Sequence, residues 1–151
     1  MNLILLAAGN GKRMKSNLPK VLHEICGRSM ICRVLDLTQK LKNLNTTIVV
    51  QKDHNLIKEN INKNIVGRKV FHFAVQNEQL GTGDAVKSAL NYLDNSLFTL
   101  ILYGDVPLIE FKTLKLLCAN LDSNLDIRIL TANVIDPKGY GRVIRNKKRQ
   151  I

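Results

Sequence analysis

The sequence predicts an α/β fold with a mostly parallel sheet and helices on both faces. Short segments rich in apolar and β-branched residues alternate with amphipathic segments along the chain, and such alternation is typical of strand–helix–strand units. Some strand segments are apolar throughout, as expected for strands buried on both faces of a parallel sheet. A chain of 151 residues suits one domain with its own core. We therefore expect a single domain over residues 1–151.

The predicted strands are apolar or β-branched runs. Residues 2–8 (NLILLAA) form a continuous apolar run, and residues 97–103 (LFTLILY) form another that we expect to be buried. The remaining predicted strands are residues 46–51, 69–76 and 126–134.

The segments between the strands have apolar residues at helical spacing. The predicted helices are residues 29–42, 53–62, 83–93 and 111–121, and residues 146–151 are expected to form a frayed tail. Ser29 and Asp53 are predicted N-caps, because their short side chains can accept hydrogen bonds from first-turn N–H groups.

Composition narrows the class of partner. The net charge is +11, from 23 basic and 12 acidic residues, which favours nucleotides, sugar phosphates, nucleic acid or an anionic membrane without choosing among them. The three cysteines are odd in number and form no C-x-x-C motif, so we expect reduced thiols that act as packing residues. No apolar stretch approaches the roughly 20 residues of a membrane helix. We expect a cytoplasmic protein with no membrane partner.

The stretch LLAAGNGKRM (5–14) leaves the first predicted strand at its carboxyl edge, where ligands bind in open α/β sheets. Gly9 and Gly11 permit positive φ and a close approach of backbone N–H groups to a ligand, while Lys12 and Arg13 add positive charge. The spacing excludes G-x-G-x-x-G, because Met14 occupies the third glycine position, and no P-loop pattern is present. A glycine turn with solvated cations remains the alternative interpretation.

The loop continues through residues 15–27. Pro19 favours an extended Leu18 before it, and Lys20 follows directly. Taken alone, Lys20 is better interpreted as an ordinary surface lysine. We interpret His23 as part of the packing of the loop and His54 as a surface helix residue.

Two later loops carry polar groups at strand ends. In QNEQLGTGDA (76–85), Gln76 offers donors and acceptors suited to a base edge, and glycines follow at a helix start. In LILYGDVPLI (100–109), Asp105 follows a strand and is a candidate Mg²⁺ ligand, since Mg²⁺ favours one or two carboxylates plus phosphates. A glycine-rich turn and a turn or cap aspartate are the structural alternatives. A further flexible, basic loop spans residues 136–146.

These motifs together resemble a known family. LAAGNGKRMKSNLPKVLHEICGRSM (6–30) is similar to the signature of N-acetylglucosamine-1-phosphate uridylyltransferases. QNEQLGTGDA, LYGDVPLI and GYGRVIRN resemble later motifs of that family, in the same order and at comparable spacing. The first loop alone would also fit other sugar-phosphate or terpenoid-precursor nucleotidyltransferases.

The resemblance implies a Rossmann-like nucleotidyltransferase domain. Its reaction would join the uridylyl group of UTP to N-acetylglucosamine 1-phosphate, giving UDP-N-acetylglucosamine and pyrophosphate with Mg²⁺. By position, the resemblance implies that Arg13 and Lys20 hold the triphosphate and that Asp105 binds Mg²⁺. It implies substrate contacts for Leu6, Ala7, Ala8 and Gly9 around the nucleotide, for Gln76, Gly81 and Thr82 at uracil, for Tyr103 and Gly104 by the ribose and sugar phosphate, and for Gly141 in the sugar pocket.

The chain departs from the family pattern in three ways. Asn10 stands where lysine is frequent, and Asp84 stands where histidine or a small residue is usual, which puts a charge near the base pocket. The chain is also short, so we expect a transferase domain incomplete at its C-terminus, with no acetyltransferase β-helix domain. The resemblance also implies a second Mg²⁺ ligand, a downstream asparagine, for which we expect no counterpart within residues 1–151.

The short length leaves alternatives to an active enzyme. One is a decayed gene product that only binds uridine nucleotides, and another is one half of a split gene whose missing part is carried by a second polypeptide. A nucleic-acid-binding protein is favoured only by the net charge, and the basic residues are scattered with no recognition motif.

Overall fold

The predicted α/β fold is confirmed. The computed structural model describes residues 1–67, 70–121 and 127–147, without the side chain of Lys12. The strands of a four-stranded sheet are β1 (Asn2–Leu6), β4 (Asn45–Val50), β5 (Phe71–Val75) and β6 (Thr99–Tyr103), and a separate antiparallel hairpin consists of β2 (Glu24–Ile25) and β3 (Arg28–Ser29). The four-stranded sheet has the order β5-β4-β1-β6, and every neighbouring pair is parallel.

Helices cover both faces of the sheet. They are α1 (Met30–Thr38), α2 (Asn55–Asn64), α3 (Thr82–Ser88) and α4 (Phe111–Leu117). Three of them bury apolar side chains in one core cluster through Ile31, Ile57 and Leu114, whereas α3 places Ala85 in a second cluster on the opposite face. Among the described residues, none of the helices is long and apolar enough to cross a membrane.

The strand order creates a switch point. The chain runs from β1 outward to β4 and β5 and then crosses to β6 on the other side of β1. The loops after β1 and β6 therefore lie next to each other, because these strands are paired, and they border a crevice at the carboxyl edge. This is the place where open α/β sheets bind ligands.

The predicted helix boundaries were only partly right. Ser29 occupies the N-cap of α1, but its Oγ donates to Asn60 Oδ1 at 2.8 Å rather than capping the helix. Asp53 is not the cap of α2, because the helix begins at Asn55 with His54 as N-cap. The prediction that His54 is a surface residue of the helix was therefore wrong. His54 precedes the helix, is half-buried, and its ring stacks on Phe73 with the ring centroids 5.8 Å apart.

Helix lengths were also overestimated. The first predicted helix ends at Thr38 and the last at Leu117. The predicted helix 83–93 divides into α3 and a 3₁₀ turn at Leu90–Tyr92. Apolar spacing located the helices but not their ends, as is usual for frayed or 3₁₀ termini.

Residues 97–103 were predicted to form a buried strand, but only one face of the observed strand is buried. Leu100 and Leu102 are each 6% exposed, but Ile101 is 41% and Tyr103 48% exposed. Within the described residues β6 pairs only with β1 and forms an edge of the sheet. The cluster built on α3 covers residues of β1, β4 and β5 but not the face of β6 that carries Ile101.

The predicted strand 126–134 was also wrong over its described part. Residues 127–134 adopt no regular structure and are exposed, while Asp126 lies outside the described residues. β-branched residues favour a strand only where it pairs and packs, and this segment does neither. Conversely, the β2–β3 hairpin was not predicted. Its two turn residues, Cys26 and Gly27, both have positive φ (49° and 71°), as in type I′ hairpin turns.

The thiols behave as packing groups where they are buried. Cys32 is fully buried and Cys118 half-buried, whereas Cys26 is exposed. Burial raises the pKa of the Cys32 thiol and also that of Cys118. A raised pKa keeps a thiol protonated and unreactive, so neither of these two cysteines is a poised nucleophile.

Neighbouring residues of β6 provide a test of this fold. Leu102→Ala should lower the free energy of unfolding by about 2–4 kcal/mol, because it removes a fully packed side chain. Ile101→Ala should cost less than about 1 kcal/mol, since that side chain is already partly in water. Urea unfolding followed by circular dichroism measures both, and equal losses would mean that the Ile101 face is covered.

Candidate functional site

Three loops meet at the carboxyl edge of the sheet and enclose a cavity of about 300 Å³. They follow β1, β5 and β6, and the turn containing Lys20 closes the remaining side. The lining residues are Leu6, Ala7, Ala8, Gly9, Lys20, Val21, Gln76, Gln79, Gly81, Thr82, Ala85, Tyr103 and Asp105. A cavity of this size is within the range of small-molecule sites.

The loop after β1 is held close to the sheet. The Ala7 N–H donates to the Val49 carbonyl at 2.8 Å, and Ala7 and Ala8 are both buried. Gly11 has φ 56°, and a Cβ on it would lie 2.9 Å from the Lys20 Cβ. A glycine is required there both by the left-handed backbone and by the close approach of Lys20.

Lys20 and Asp105 form an ion pair that spans the mouth of the cavity. The Lys20 Nζ lies 2.6 Å from Asp105 Oδ2, and both side chains are about one-third exposed. Lys20 begins a 3₁₀ turn whose next residues, Val21 and Leu22, are buried. The buried residues fix the turn, so the lysine is presented to the cavity from an anchored backbone.

Gly104 brings the loop after β6 against that of β1. Its N–H donates to the Leu6 carbonyl at 2.8 Å. An added Cβ would lie 3.1 Å from the Leu6 oxygen and 3.2 Å from Val21 Cγ1. The absence of a side chain at Gly104 therefore allows Asp105 to follow directly on the edge of the crevice.

Gln76 forms the opposite end of the cavity. It is 6% exposed, and its backbone N–H extends the sheet by donating to the Val50 carbonyl at 2.8 Å. The side-chain Nε2 donates to the Gly81 carbonyl at 3.2 Å and to Asp84 Oδ2 at 2.8 Å. The charge that Asp84 introduces thus lies against the amide of Gln76.

Gln79 is a cavity residue that the sequence reasoning missed. Its Nε2 donates to the Ala8 carbonyl at 3.0 Å and to Asn10 Oδ1 at 2.8 Å, joining the loop after β5 to the loop after β1. An amide within a glycine-containing motif was the available signal. Val21 and Ala85 were also missed, and as ordinary apolar residues they carried no such signal.

Most predicted site residues line this cavity, but three do not. Gly104 lies between two lining residues, Tyr103 and Asp105, whereas the other two lie apart. Arg13 is exposed in the 3₁₀ turn Lys12–Met14 and does not line the cavity. Gly141 lines a different cavity formed by residues of the segment 129–145. The positive charge predicted for Lys12 at the site belongs to a side chain outside the described part of the structure.

The cavity offers a cation, a carboxylate, two amides and two hydroxyls among apolar side chains. Asp105 is the single carboxylate among the lining residues, and the described residues contain no group of three His, Cys, Asp or Glu able to hold a metal ion. The lining contains no cysteine, serine or histidine that could act as a nucleophile. This arrangement suits binding and alignment of a partly anionic ligand.

Comparison with known proteins identifies relatives over the whole length of the chain. A family model described as a MobA-like NTP transferase domain matches residues 3–143. The bifunctional protein GlmU of Paraburkholderia phytofirmans is 43% identical over 151 residues, which is 100% of this chain and 32% of the relative. The bifunctional protein GlmU of Clostridioides difficile is 40% identical over 146 residues, 96% of this chain and 30% of the relative. These relatives confirm the predicted resemblance, and the chain spans about a third of their length.

Solved structures share the fold. HddC from Yersinia pseudotuberculosis, complexed with GMP-PN, aligns with a TM-score of 0.57 at 23% identity, covering 76% of this chain and 54% of that protein. The inositol-1-phosphate CTP transferase from T. maritima aligns with a TM-score of 0.55 at 19% identity, covering 69% and 43%. At these identities the likeness concerns the fold alone.

Two glycines of the same loop test the geometry of the site. Gly11→Ala should destabilise the protein by about 1–2 kcal/mol, since alanine resists the left-handed backbone. It should also displace Lys20. Gly9→Ala should change the free energy of unfolding by less than about 0.5 kcal/mol, because no atom lies within 4 Å of the added Cβ. Urea unfolding of both variants provides the measurement, and equal stability would contradict the tight Gly11–Lys20 approach.

Proposed function

The chain belongs to the MobA-like NTP transferase domain family, and on this basis we propose that its cavity binds UTP for uridylyl transfer to N-acetylglucosamine 1-phosphate. The observation that carries the proposal is the arrangement of opposite chemistries in one cavity. The buried amide of Gln76 follows β5, and Asp105, paired with Lys20, follows β6, and these are the two outer strands of the sheet, so the amide and the ion pair lie at opposite ends of the cavity. A nucleotide has the matching chemistry, with a neutral base edge and an anionic phosphate chain.

The amide end supports base recognition. A pyrimidine edge presents N–H and C=O groups, and an amide side chain can meet either kind. Gln76 is held from two sides, by the Val50 carbonyl through its backbone and by Asp84 through its side chain. A fixed amide discriminates better than a mobile one, because the wrong edge then leaves a buried polar group unpaired.

The charged end supports phosphate binding. Lys20 would exchange its contact with Asp105 for phosphate oxygens when the nucleotide enters. This exchange would release the Asp105 carboxylate. Arg13, which is exposed in a neighbouring turn, would add a contact from outside the cavity.

The residues present fit a Mg²⁺ ion that arrives with the nucleotide. Mg²⁺ is commonly held by one or two carboxylates together with phosphate oxygens and water, and Asp105 is a carboxylate on the cavity wall. Asp105 would hold the ion, which when bound would neutralise charge on the phosphates.

The proposed reaction needs no protein nucleophile. A phosphate oxygen of N-acetylglucosamine 1-phosphate attacks the α-phosphorus of UTP, a P–O bond forms, and the bond to the β-phosphate oxygen breaks to release pyrophosphate. The protein would contribute alignment of the two substrates and charge neutralisation by Lys20.

A second candidate function is uridine nucleotide binding without turnover. The observation that favours it is the position of Gly141, the predicted sugar-pocket residue, in a cavity separate from the nucleotide end. With Gly141 apart from the nucleotide, one predicted contact to the sugar would be missing, and alignment of the attacking oxygen would be weakened.

The Gln76 end of the cavity leads to a prediction about base preference. We expect UTP to bind more tightly than CTP, ATP or GTP, because the Gln76 end suits a pyrimidine edge with an N–H donor. Gln76→Ala should narrow the preference while leaving most of the phosphate-derived affinity. Isothermal calorimetry with the four nucleotides is the measurement, and equal affinities would mean that only phosphates are recognised.

The Lys20–Asp105 end of the cavity leads to a prediction about phosphate binding. Lys20→Ala should weaken UTP binding by roughly 1.5–3 kcal/mol, the range for hydrogen bonds to charged groups. Arg13→Ala should weaken it less, because Arg13 does not line the cavity. Lys147→Ala, in an exposed segment, is the matched control and should have almost no effect. If Lys147→Ala weakened UTP binding as much as Lys20→Ala, binding would depend on general positive charge and not on Lys20.

Turnover distinguishes the two candidate functions. With Mg²⁺, UTP and N-acetylglucosamine 1-phosphate, we expect slow pyrophosphate release that Asp105→Ala abolishes. Alignment supplies about 7–11 kcal/mol in well-oriented reactions, so losing a third of it would slow the reaction by about a hundredfold or more. Fast, Asp105-dependent release would reject the binding-only function, and release unaffected by Asp105→Ala would reject the proposed site.

A further inference from the structure

We propose that Asp84 is a positioning residue, which fixes the orientation of the Gln76 amide and thereby sets which base edge the cavity accepts. The inference rests on the proposed nucleotide binding at this cavity. It concerns a residue that does not itself line the cavity and that acts through its contact with Gln76.

The geometry assigns both donors of the amide. Nε2 of Gln76 donates to Asp84 Oδ2 at 2.8 Å and to the Gly81 carbonyl at 3.2 Å. An amide NH₂ group has two N–H donors, so these contacts use both. The remaining polar atom of the amide is the acceptor Oε1, and Gln76 lines the cavity.

The opposite orientation of the amide is disfavoured by Asp84. An ionised carboxylate only accepts hydrogen bonds. Rotating the Gln76 amide by half a turn would place Oε1 against Asp84 Oδ2 and against the Gly81 carbonyl, so that acceptors would face acceptors. A neutral residue at position 84 with both a donor and an acceptor would itself accept either orientation, so that the longer contact with the Gly81 carbonyl, at 3.2 Å, would be left to oppose the rotation.

The position of Asp84 makes the constraint rigid. Asp84 lies in the first turn of α3 and is half-buried. The next residue, Ala85, is buried in the core cluster on that face of the sheet together with Ala89. The carboxylate is therefore held by a packed helix, while Gln76 is held by the sheet.

A fixed acceptor selects bases that present a ring N–H. Uracil has an N–H between two carbonyl groups, which can donate to Oε1. The corresponding ring nitrogen of cytosine is an acceptor and would face Oε1 with no proton between them. We therefore infer that Asp84 contributes to the preference for uracil over cytosine.

The test compares UTP and CTP affinities by calorimetry in the wild type and three variants. Asp84→Asn keeps the shape but removes the constraint that the carboxylate imposes, and Asp84→Ala removes the contact, while the Gly81 carbonyl remains in both variants. Glu78→Ala is the matched control, because it removes one exposed negative charge from the loop before α3. We expect the UTP-to-CTP affinity ratio to fall about tenfold in both Asp84 variants, equivalent to roughly 1.4 kcal/mol, and to persist in Glu78→Ala.

A second readout needs no nucleotide. In NMR spectra of the ligand-free protein, the side-chain amide protons of Gln76 should show one set of well-separated shifts in the wild type and in Glu78→Ala. They should move toward averaged values in Asp84→Ala. Unchanged signals would overturn the claim that Asp84 holds the amide.

The outcomes separate this inference from the proposed function. A wild type that prefers UTP, together with Asp84 variants that keep the full preference, would overturn the role of Asp84 and leave uridine binding intact. A wild type with no preference for UTP over CTP would overturn both the proposed uridine binding and the selection assigned to Asp84.

Discussion

The parallel pairing of β1 on both of its edges is the constraint on which the rest of the structure depends. Residues 2–6 pair with residues 45–49 of β4 on one side and with residues 99–103 of β6 on the other. Because all neighbouring strands point the same way, the loops that follow them emerge at one edge. The cavity exists because three of those loops converge on the end of β1.

The other end of β1 is anchored by a buried asparagine. Asn2 is 0% exposed, its Nδ2 donates to the Asp94 carbonyl at 2.8 Å, and its Oδ1 accepts from the Asp94 N–H at 3.1 Å. These contacts hold the segment that leads into β6. A buried amide left without partners would cost about 1–3 kcal/mol, so Asn2 favours this one register of the chain entering β6.

The site and the core have different sources of stability. The core is apolar and fully buried at Leu3, Leu5 and Ile31, where each side chain contributes about 1.5–3 kcal/mol. The contacts around the cavity are polar, and an ion pair as exposed as Lys20–Asp105 is worth about 0–1 kcal/mol. Such contacts position side chains but add little stability.

The sequence by itself determined the fold class and most residues of the cavity wall, because apolar periodicity and glycine motifs are local properties of the chain. Only the tertiary structure decided contacts between segments distant in sequence, such as Gln79 with Ala8 and Lys20 with Asp105. The tertiary structure also decided which face of a strand is exposed. The sequence predicts a buried strand over residues 97–103, but Ile101 is exposed because none of the described helices covers that face. Residues 127–134 have the composition of a strand but no partner strand within the described residues. Burial and pairing depend on what lies opposite a residue, and a linear sequence does not contain that information locally.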